Sequence, residues 1–169
     1  DGEYLYNRKY NGKGYDENGK IIYEIVNGNG IIKEFNDYGQ LIFEGEYLNG
    51  KKYGHGKEYD NFFYDTLIFE GEYLDGKRNG YGKEYYINGN LKFEGEYLNG
   101  ERKGKGKEYN NNNLIFEGEY INGKRWKGKG KEYCENNTLL FEGEYLNGIR
   151  WKGKGKEYKN EKLIFEENI

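Results

Sequence analysis

Acidic side chains recur in pairs along this chain, and paired carboxylates can serve as the acid and base of an enzyme. Glu70 and Glu72 form one such pair, and each of the five regular copies of the surrounding sequence carries an equivalent pair. A catalytic pair is normally unique, because its two environments must push the two pKa values apart. Five equivalent pairs instead indicate a solvated face on which the glutamates face lysines such as Lys83 across a strand, at about a few tenths of a kcal/mol per pair.

Other reactive residue types are too scarce for a catalytic or metal site. His55 and Cys134 are single, and they belong to copies three apart, so two strands per copy would separate them by roughly 30 Å. A nucleophile and its base need hydrogen-bond contact, and one His with one Cys is too small a zinc ligand set. The repeated Gly-x-Gly-Lys lacks both the spacing and the helix of a phosphate-binding loop. We therefore predict no catalytic residue, no metal site and no cofactor.

Two tryptophans are the strongest candidates for a binding site. Both follow Arg and precede Lys, in copies that are one residue longer at this point than the others. We expect them side by side on neighbouring hairpins, about 10 Å apart. Either each Trp shields the backbone at the end of an aromatic row, or the group contacts a partner protein, anionic lipid headgroups or phosphate. The group comprises Arg125, Trp126, Lys127, Arg150, Trp151 and Lys152.

A repeated unit must position these residues. The pentad Phe-Glu-Gly-Glu-Tyr begins at residues 43, 69, 93, 116 and 141, a shortened form begins at 165, and looser copies begin near 2 and 23. Self-similarity at a period of 20–50 residues is typical of repeat arrays. We therefore predict one array over residues 1–169, with seven copies and a stub.

Each copy predicts an antiparallel hairpin. The residues at 67–73 alternate, with Phe69, Gly71 and Tyr73 on one face and the two glutamates on the other, which indicates a half-buried strand. Asn-Gly or Asp-Gly follows, a strong hairpin signal. The second strand reads Gly-x-Gly-Lys-Glu-Tyr, and simple alternation separates Tyr85 from the face of Gly82 unless a bulge resets the register. No helix is expected anywhere.

The recurring glycines predict close contact with aromatic rings. Glycine within a strand costs about 0.5–1 kcal/mol relative to alanine, so we expect a ring from a neighbouring strand to lie over the bare backbone. Aromatic pairs, at roughly 0.5–1.5 kcal/mol each, can offset that cost. The row comprises Phe43, Gly45, Tyr47, Phe69, Gly71, Tyr73, Phe93, Gly95, Tyr97, Phe116, Gly118, Tyr120, Phe141, Gly143 and Tyr145.

The recurring unit Phe-Glu-Gly-Glu-Tyr-x-Asn-Gly-Lys-Arg-x-Gly-x-Gly resembles the MORN repeat (membrane occupation and recognition nexus). The resemblance covers almost the whole chain, although Phe replaces the usual first Tyr and the aromatic residue of the second strand comes one place later. It implies an all-β fold, an elongated single-layer solenoid of tandem antiparallel β-hairpins. It also implies roles in scaffolding, protein binding, dimerisation, or attachment to membranes and cytoskeleton, and MORN arrays sometimes accompany kinase or methyltransferase domains.

Composition narrows the function further. The formal net charge of -3 gives no bias toward nucleic acid or an anionic membrane, so nucleic acid is not an expected partner. A single cysteine fits a reducing compartment, and no secretory signal is visible, so we expect a cytoplasmic protein, with or without attachment to membrane or cytoskeleton. We predict a non-catalytic scaffold for protein–protein interaction or self-association. The alternatives are a peripheral module that binds anionic lipid and an accessory region of a larger enzyme.

Overall fold

The computed structural model describes residues 2–5, 8–16, 18–63, 65–133, 138–160 and 162–168, and for residues 4, 5, 8, 152–158 and 165–168 it describes the backbone alone. Every regular element in this part of the chain is a β-strand. No helix among these residues is long and apolar enough to cross a membrane. The strands are β1 (Gly2–Leu5), β2 (Arg8–Tyr15), β3 (Ile21–Val26), β4 (Asn29–Phe35), β5 (Leu41–Leu48), β6 (Lys51–Tyr59), β7 (Leu67–Leu74), β8 (Lys77–Tyr85), β9 (Leu91–Leu98), β10 (Glu101–Asn110), β11 (Asn113–Ile121), β12 (Lys124–Tyr133), β13 (Leu139–Leu146), β14 (Ile149–Lys159) and β15 (Lys162–Asn168).

The strands belong to two compact units. The first unit comprises residues 1–90 with 98–100, and the second comprises residues 91–97 with 101–169. Within the first unit, strands β1 to β8 lie side by side in chain order, and within the second unit strands β9 to β15 do the same. The pairs are antiparallel, as in β7 with β8 and β11 with β12. The predicted fold class, tandem antiparallel β-hairpins, is confirmed.

Hairpin turns form where Asn-Gly or Asp-Gly was expected. Asn49 and Asp75 both adopt φ 53°, and the glycine after each also has positive φ. Asn, Asp and Gly tolerate this region better than other residues, which explains their choice for two-residue turns. Each turn is also tied to the preceding hairpin, since the Gly76 N–H donates to the Lys52 carbonyl oxygen at 2.9 Å. The turns therefore form a hydrogen-bonded row along one edge of each unit.

One face of each unit, here called the aromatic face, carries the buried core. The phenylalanine and tyrosine of each regular copy are buried there. The Tyr73 ring meets the Phe69 ring edge-on at 5.7 Å, and it meets the Phe43 ring of the preceding copy at 5.4 Å. A Cβ added to Gly56 would lie 2.7 Å from ring carbons of Phe43, so the ring occupies the space that any side chain would need. Within each unit, ring packing thus joins successive copies.

Two irregularities recur in each regular hairpin. The register of β6 with β7 shifts between Glu58 and Tyr59, and the register of β5 with β6 shifts between Gly45 and Tyr47. The first shift accompanies a change of face, because the Tyr59 hydroxyl donates to Glu44 Oε1 at 2.7 Å on the face opposite the rings. The Tyr85 hydroxyl makes the same bond to Glu70 at 2.6 Å. The second-strand tyrosine therefore leaves the glycine face, and a bulge accompanies it.

Candidate interaction surfaces

The aromatic face is closed by its own side chains. In each regular copy one cation lies over the buried phenylalanine: the Arg78 guanidinium carbon is 3.9 Å from the centre of the Phe69 ring. Arg78 also forms an ion pair with Glu58, which accepts a hydrogen bond from the Tyr73 hydroxyl at 2.7 Å. Ring, cation and carboxylate therefore form one network across adjacent strands. This face offers a ligand little that is not already engaged.

The partly buried carboxylates of this network stay ionised. Burial raises the pKa of Glu58, but hydrogen bonds from Arg78 and Tyr73 outweigh it and the net pKa is lowered. The pKa of Glu132 is also lowered, chiefly by the hydrogen bond from Arg150. A glutamate that acts as a general acid needs a pKa raised toward neutral pH, which is the opposite direction. These glutamates are therefore suited to holding cations in place.

One member of the aromatic row breaks the pattern. The Tyr120 hydroxyl is buried and has no hydrogen-bond partner among the described residues. Glu108 occupies the position of Glu58, which accepts the hydroxyl of the equivalent tyrosine, but it binds two arginines. Arg102 Nη1 donates to Oε1 at 2.7 Å, and Arg125 Nε donates to Oε2 at 2.7 Å. Burial raises the pKa of Tyr120 most, the negative charge of Glu108 raises it next, and hydrogen bonding toward Glu108 contributes last. This approach of the two groups does not reach ordinary hydrogen-bond geometry, so the hydroxyl stays unsatisfied. The orphan hydroxyl is thus a local cost of a carboxylate shared by two guanidinium groups.

The opposite face of each unit, here called the outer face, carries the glutamate–lysine rows that the alternation predicts. Glu70 faces Lys83, and Glu44 faces Lys57, in the strand register. Glu44 also lies 3.5 Å from the Lys33 ammonium nitrogen. These partly exposed pairs contribute little energy each. The row is a repeated surface pattern and has no unique site for acid–base chemistry.

In two of the regular copies, the second glutamate of the pair holds the bulge that follows the hairpin turn. Glu46 Oε1 accepts the His55 backbone N–H at 3.2 Å, and Glu96 Oε2 accepts the Lys105 backbone N–H at 3.3 Å. The glycine beneath each carboxylate, Gly54 or Gly104, has positive φ. The recurring carboxylate pair is therefore divided between a cross-strand charge row and a backbone anchor.

A groove lies on the outer face of the first unit. Its volume is about 380 Å³, its floor includes Gly45, Gly56, Gly71 and Gly82, and one wall carries Ile31, His55 and Tyr81. These three residues are equivalent in the strand register. Each comes just before the second-strand residue whose Cα faces a central glycine: Ile32 faces Gly45, and Gly56 and Gly82 face Gly71. All three side chains are exposed. In the second unit, Lys105 and Lys129 occupy this position, which we call the slot.

The arginines and the tryptophans of the tryptophan group have different surroundings. Arg125 and Arg150 point to the aromatic face, where they pair with Glu108 and Glu132 and lie over phenylalanine rings. Trp126 is 39% exposed and Trp151 is 45% exposed. Lys127 is exposed, and the Lys152 side chain lies outside the described part of the structure. The arginines therefore serve the fold, while the two indoles remain accessible.

The extra residue in the two tryptophan copies is accommodated in two ways. In the usual register Gly71 faces Gly82, the second glycine of Gly-x-Gly. In β11 with β12, Gly118 instead faces Gly128, the first glycine, and Trp126 has no Cα partner. In β13 with β14 the usual glycine pairing is kept, Tyr145 faces Arg150, and residues 151–154 lie opposite Glu144 alone. In the first of these copies, β12 is shifted by two residues relative to β11. In the second, the bulge of β14 opposite β13 is larger.

The repeat pattern is also found by comparison with known families. The family model of the MORN repeat matches residues 43–61, 69–91, 93–114 and 116–139, which together make up more than half of the chain. The chain belongs to the MORN repeat family. No curated protein matches it. MORN repeats are generally non-catalytic modules, which agrees with the absence of a unique acid–base pair among the described glutamates.

The remaining candidates from the sequence are His55 and Cys134. His55 is exposed on the outer face as one of the slot residues, and Cys134 lies outside the described residues. No group of three or more His, Cys, Asp or Glu side chains that could hold a metal ion occurs in the part of the chain that is described. The groove could not be predicted from the sequence alone, because it depends on the strand register that aligns Ile31 with His55 and Tyr81.

Proposed function

We propose that this MORN array is a non-catalytic scaffold that binds an extended segment of a partner protein in the groove of the first unit. One observation carries the proposal: the glutamates and lysines of the outer face, here called the frame, repeat from copy to copy, whereas the residue in the slot changes. Glu44, Lys57 and Glu70 repeat the frame, whereas Ile31 and Tyr81 present different apolar surfaces. A repeated frame holds a chain in position, and variable side chains select what is held.

The shape and chemistry of the groove support an extended occupant. Its floor is strand backbone without side chains, so a bound chain can approach closely. The slot residues Ile31, His55 and Tyr81 offer apolar and aromatic contact, and aromatic residues are enriched at protein interfaces. The flanking glutamates and lysines provide both donors and acceptors. A bound segment could therefore bury apolar side chains against the slot and satisfy its polar groups on the row beside it.

The array supplies its own control variant for a test. Replacing all three residues (Ile31→Lys, His55→Lys and Tyr81→Lys) gives the first unit the slot that Lys105 and Lys129 provide in the second unit, so the frame is expected to tolerate it. Affinity capture from cells that express the chain, with wild type and variant as parallel baits, tests the proposal. A partner retained by wild type and lost by the variant, with unchanged circular dichroism, supports the groove as the site. Capture of the same proteins by both baits would exclude the groove as the binding site.

A second candidate function, attachment to an anionic membrane surface, is favoured by the exposed indoles of Trp126 and Trp151. Trp is well suited to the membrane–water interface, and Lys127 beside them can attract acidic headgroups. Because Arg125 and Arg150 are engaged on the aromatic face, the indoles must supply most of this binding. Co-sedimentation with phosphatidylserine vesicles, for wild type and for Trp126→Ala/Trp151→Ala, measures it. Binding that falls with salt and is lost in the variant supports this function, and equal sedimentation of both proteins opposes it.

Self-association and an accessory role beside an enzyme domain stay predictions. Sedimentation velocity measures the first, and the full reading frame decides the second.

A further inference from the structure

An exposed aromatic group lies on the edge of the first unit opposite the Asn-Gly turns, where the links between hairpins join the strand ends, and it shares no residue with the groove. Phe62 is 84% exposed, Phe63 is 52% exposed and Tyr38 is 85% exposed. They lie in two links between hairpins, residues 36–40 and 60–66. Single exposed apolar residues are ordinary on protein surfaces, but neighbouring large ones mark an interaction site. We call this group the aromatic edge.

The link at 60–66 differs from the others in length. The links at 36–40 and 86–90 have five residues between strands, whereas this link has seven. Asn36 and Tyr86 close their links by hydrogen bonds with Gln40 and Asn90, and Asp60 closes the longer link in the same way with Thr66 at 2.8 Å. The longer link therefore keeps the common closure and extends the loop. The two consecutive phenylalanines project from this extension and have no part in the core.

The aromatic edge is held in place by hydrogen bonds. Asp60 Oδ1 accepts the backbone N–H groups of Phe62 and Phe63, at 2.8 and 2.9 Å. The Asn36 side chain amide donates to the Asn61 carbonyl oxygen at 3.3 Å, which joins the two links. Asn36 Oδ1 in turn accepts the Tyr38 backbone N–H at 3.0 Å. Because these hydrogen bonds already order the two links, binding of a partner to the rings should cost little loop entropy.

The charge around the rings selects the partner. The two links contain Asp37, Asp60 and Asp65 and contain no Lys, Arg or His. Asp37 and Asp65 are exposed. Acidic groups around an apolar anchor attract a basic segment and repel an acidic one. They also oppose binding to an anionic bilayer, whose surface potential has the same sign.

We propose that the aromatic edge binds a basic, amphipathic segment of a partner protein, with Phe62 as the main anchor. This inference rests on the proposed function of the array as an interaction scaffold, but it uses a different surface from the groove. Phe62 and Tyr38 insert between apolar side chains of the segment, and Asp37 and Asp65 pair with its lysines or arginines. The first unit then has two binding surfaces, one on its outer face and one on its edge.

The test uses peptides displayed from a random library and selected on the whole chain, with counter-selection on Phe62→Ser/Phe63→Ser. Selected peptides are synthesised with a fluorescent label, and binding is measured by anisotropy. We expect the selected peptides to combine Lys or Arg with apolar residues. Their affinity for the variant should be lower than for wild type by a factor of about ten or more, and their affinity for wild type should fall as salt rises. Ile87→Ser, which removes an exposed apolar residue from another link, should bind as wild type.

Several outcomes would overturn the proposal. Selection of no peptide, selection of acidic peptides, or equal binding to wild type and to Phe62→Ser/Phe63→Ser would each do so. The single variant Phe62→Ser serves if the double variant fails to fold. Loss of peptide binding only in the lysine-slot variant of the groove would assign the peptides to the groove and reject the aromatic edge. Binding of phosphatidylcholine vesicles that depends on Phe62, without peptide binding, would replace the protein partner by a lipid surface.

Discussion

Removing the hydroxyl oxygen from each of two equivalent tyrosines should affect stability differently, with a loss at Tyr145 and no loss at Tyr120. Tyr120 and Tyr145 occupy the same place in successive copies of the second unit, and both rings are buried. The Tyr145 hydroxyl donates to Glu132 Oε1 at 2.5 Å. The Tyr120 hydroxyl is buried without a hydrogen-bond partner among the described residues. The variants Tyr120→Phe and Tyr145→Phe therefore compare an orphan hydroxyl with a satisfied one at the same position of successive copies.

The expected magnitudes follow from the two environments. A hydrogen bond to a charged group contributes about 1.5–3 kcal/mol, and since Glu132 is partly exposed and keeps Arg150, Tyr145→Phe should cost about 1–2 kcal/mol. A buried polar group without a partner costs about 1–3 kcal/mol. Tyr120→Phe removes that cost and leaves a negligible cavity. We expect Tyr120→Phe to be neutral or to stabilise the protein by up to about 1 kcal/mol.

Urea unfolding followed by tryptophan fluorescence suits this comparison, because Trp126 and Trp151 both lie in the second unit. Repeat arrays can unfold in parts, so the midpoint and slope of the transition should be compared for each variant. A destabilisation by Tyr120→Phe as large as that by Tyr145→Phe would show that the two hydroxyls do not differ in this way. It would mean that the Tyr120 hydroxyl is satisfied in solution and that Glu108 is not fully occupied by its arginines.

Two further predictions concern the bulge and the ion pairs. Gly104 and Gly123 both have positive φ, but only at Gly104 would a Cβ overlap a neighbour, the Glu96 carboxylate. Gly104→Ala should therefore destabilise by about 1 kcal/mol more than Gly123→Ala, since it also displaces a hydrogen-bonded carboxylate; equal thermal shifts would contradict this. The pKa of Glu132 is lowered from its ordinary value of 4.5 by Arg150, so its contribution is present above that pH and is lost as pH falls through the lower folded-state value. Arg150→Gln should make the urea midpoint less sensitive to pH in this range, and an unchanged pH profile would count against the ion pair.

The sequence was sufficient to predict the hairpins and their two faces. Alternation across Phe69, Gly71 and Tyr73, followed by Asp75-Gly76, leaves a half-buried strand and a tight turn as the simplest solution. The structure places these side chains on the face that the pattern indicates. Local chemistry is sufficient here because each copy repeats the same short-range signals.

The roles of the arginines and the two tryptophan registers could not be predicted in the same way. Alternation assumes an unbroken strand, but a bulge lies between Arg125 and the following Gly-x-Gly segment, so counting by two fails across it. An extra residue can be absorbed by a larger bulge or by a slide, and both occur here. The two copies have almost the same sequence around the tryptophan and still adopt different registers, so the local sequence does not decide between them. The aromatic edge was missed because the links were treated only as connections.

The slide of β12 also bears on how such a chain can change in length. A displacement by two residues leaves every side chain on its original side of the sheet, and the pairing of β12 with β13 again sets Gly130 opposite Gly143 as in the other copies. An insertion in one hairpin is therefore corrected before the next begins. Copies of unequal length can be duplicated, exchanged or shuffled without disturbing those that follow, so the array is modular in its tolerance of error as well as in its sequence.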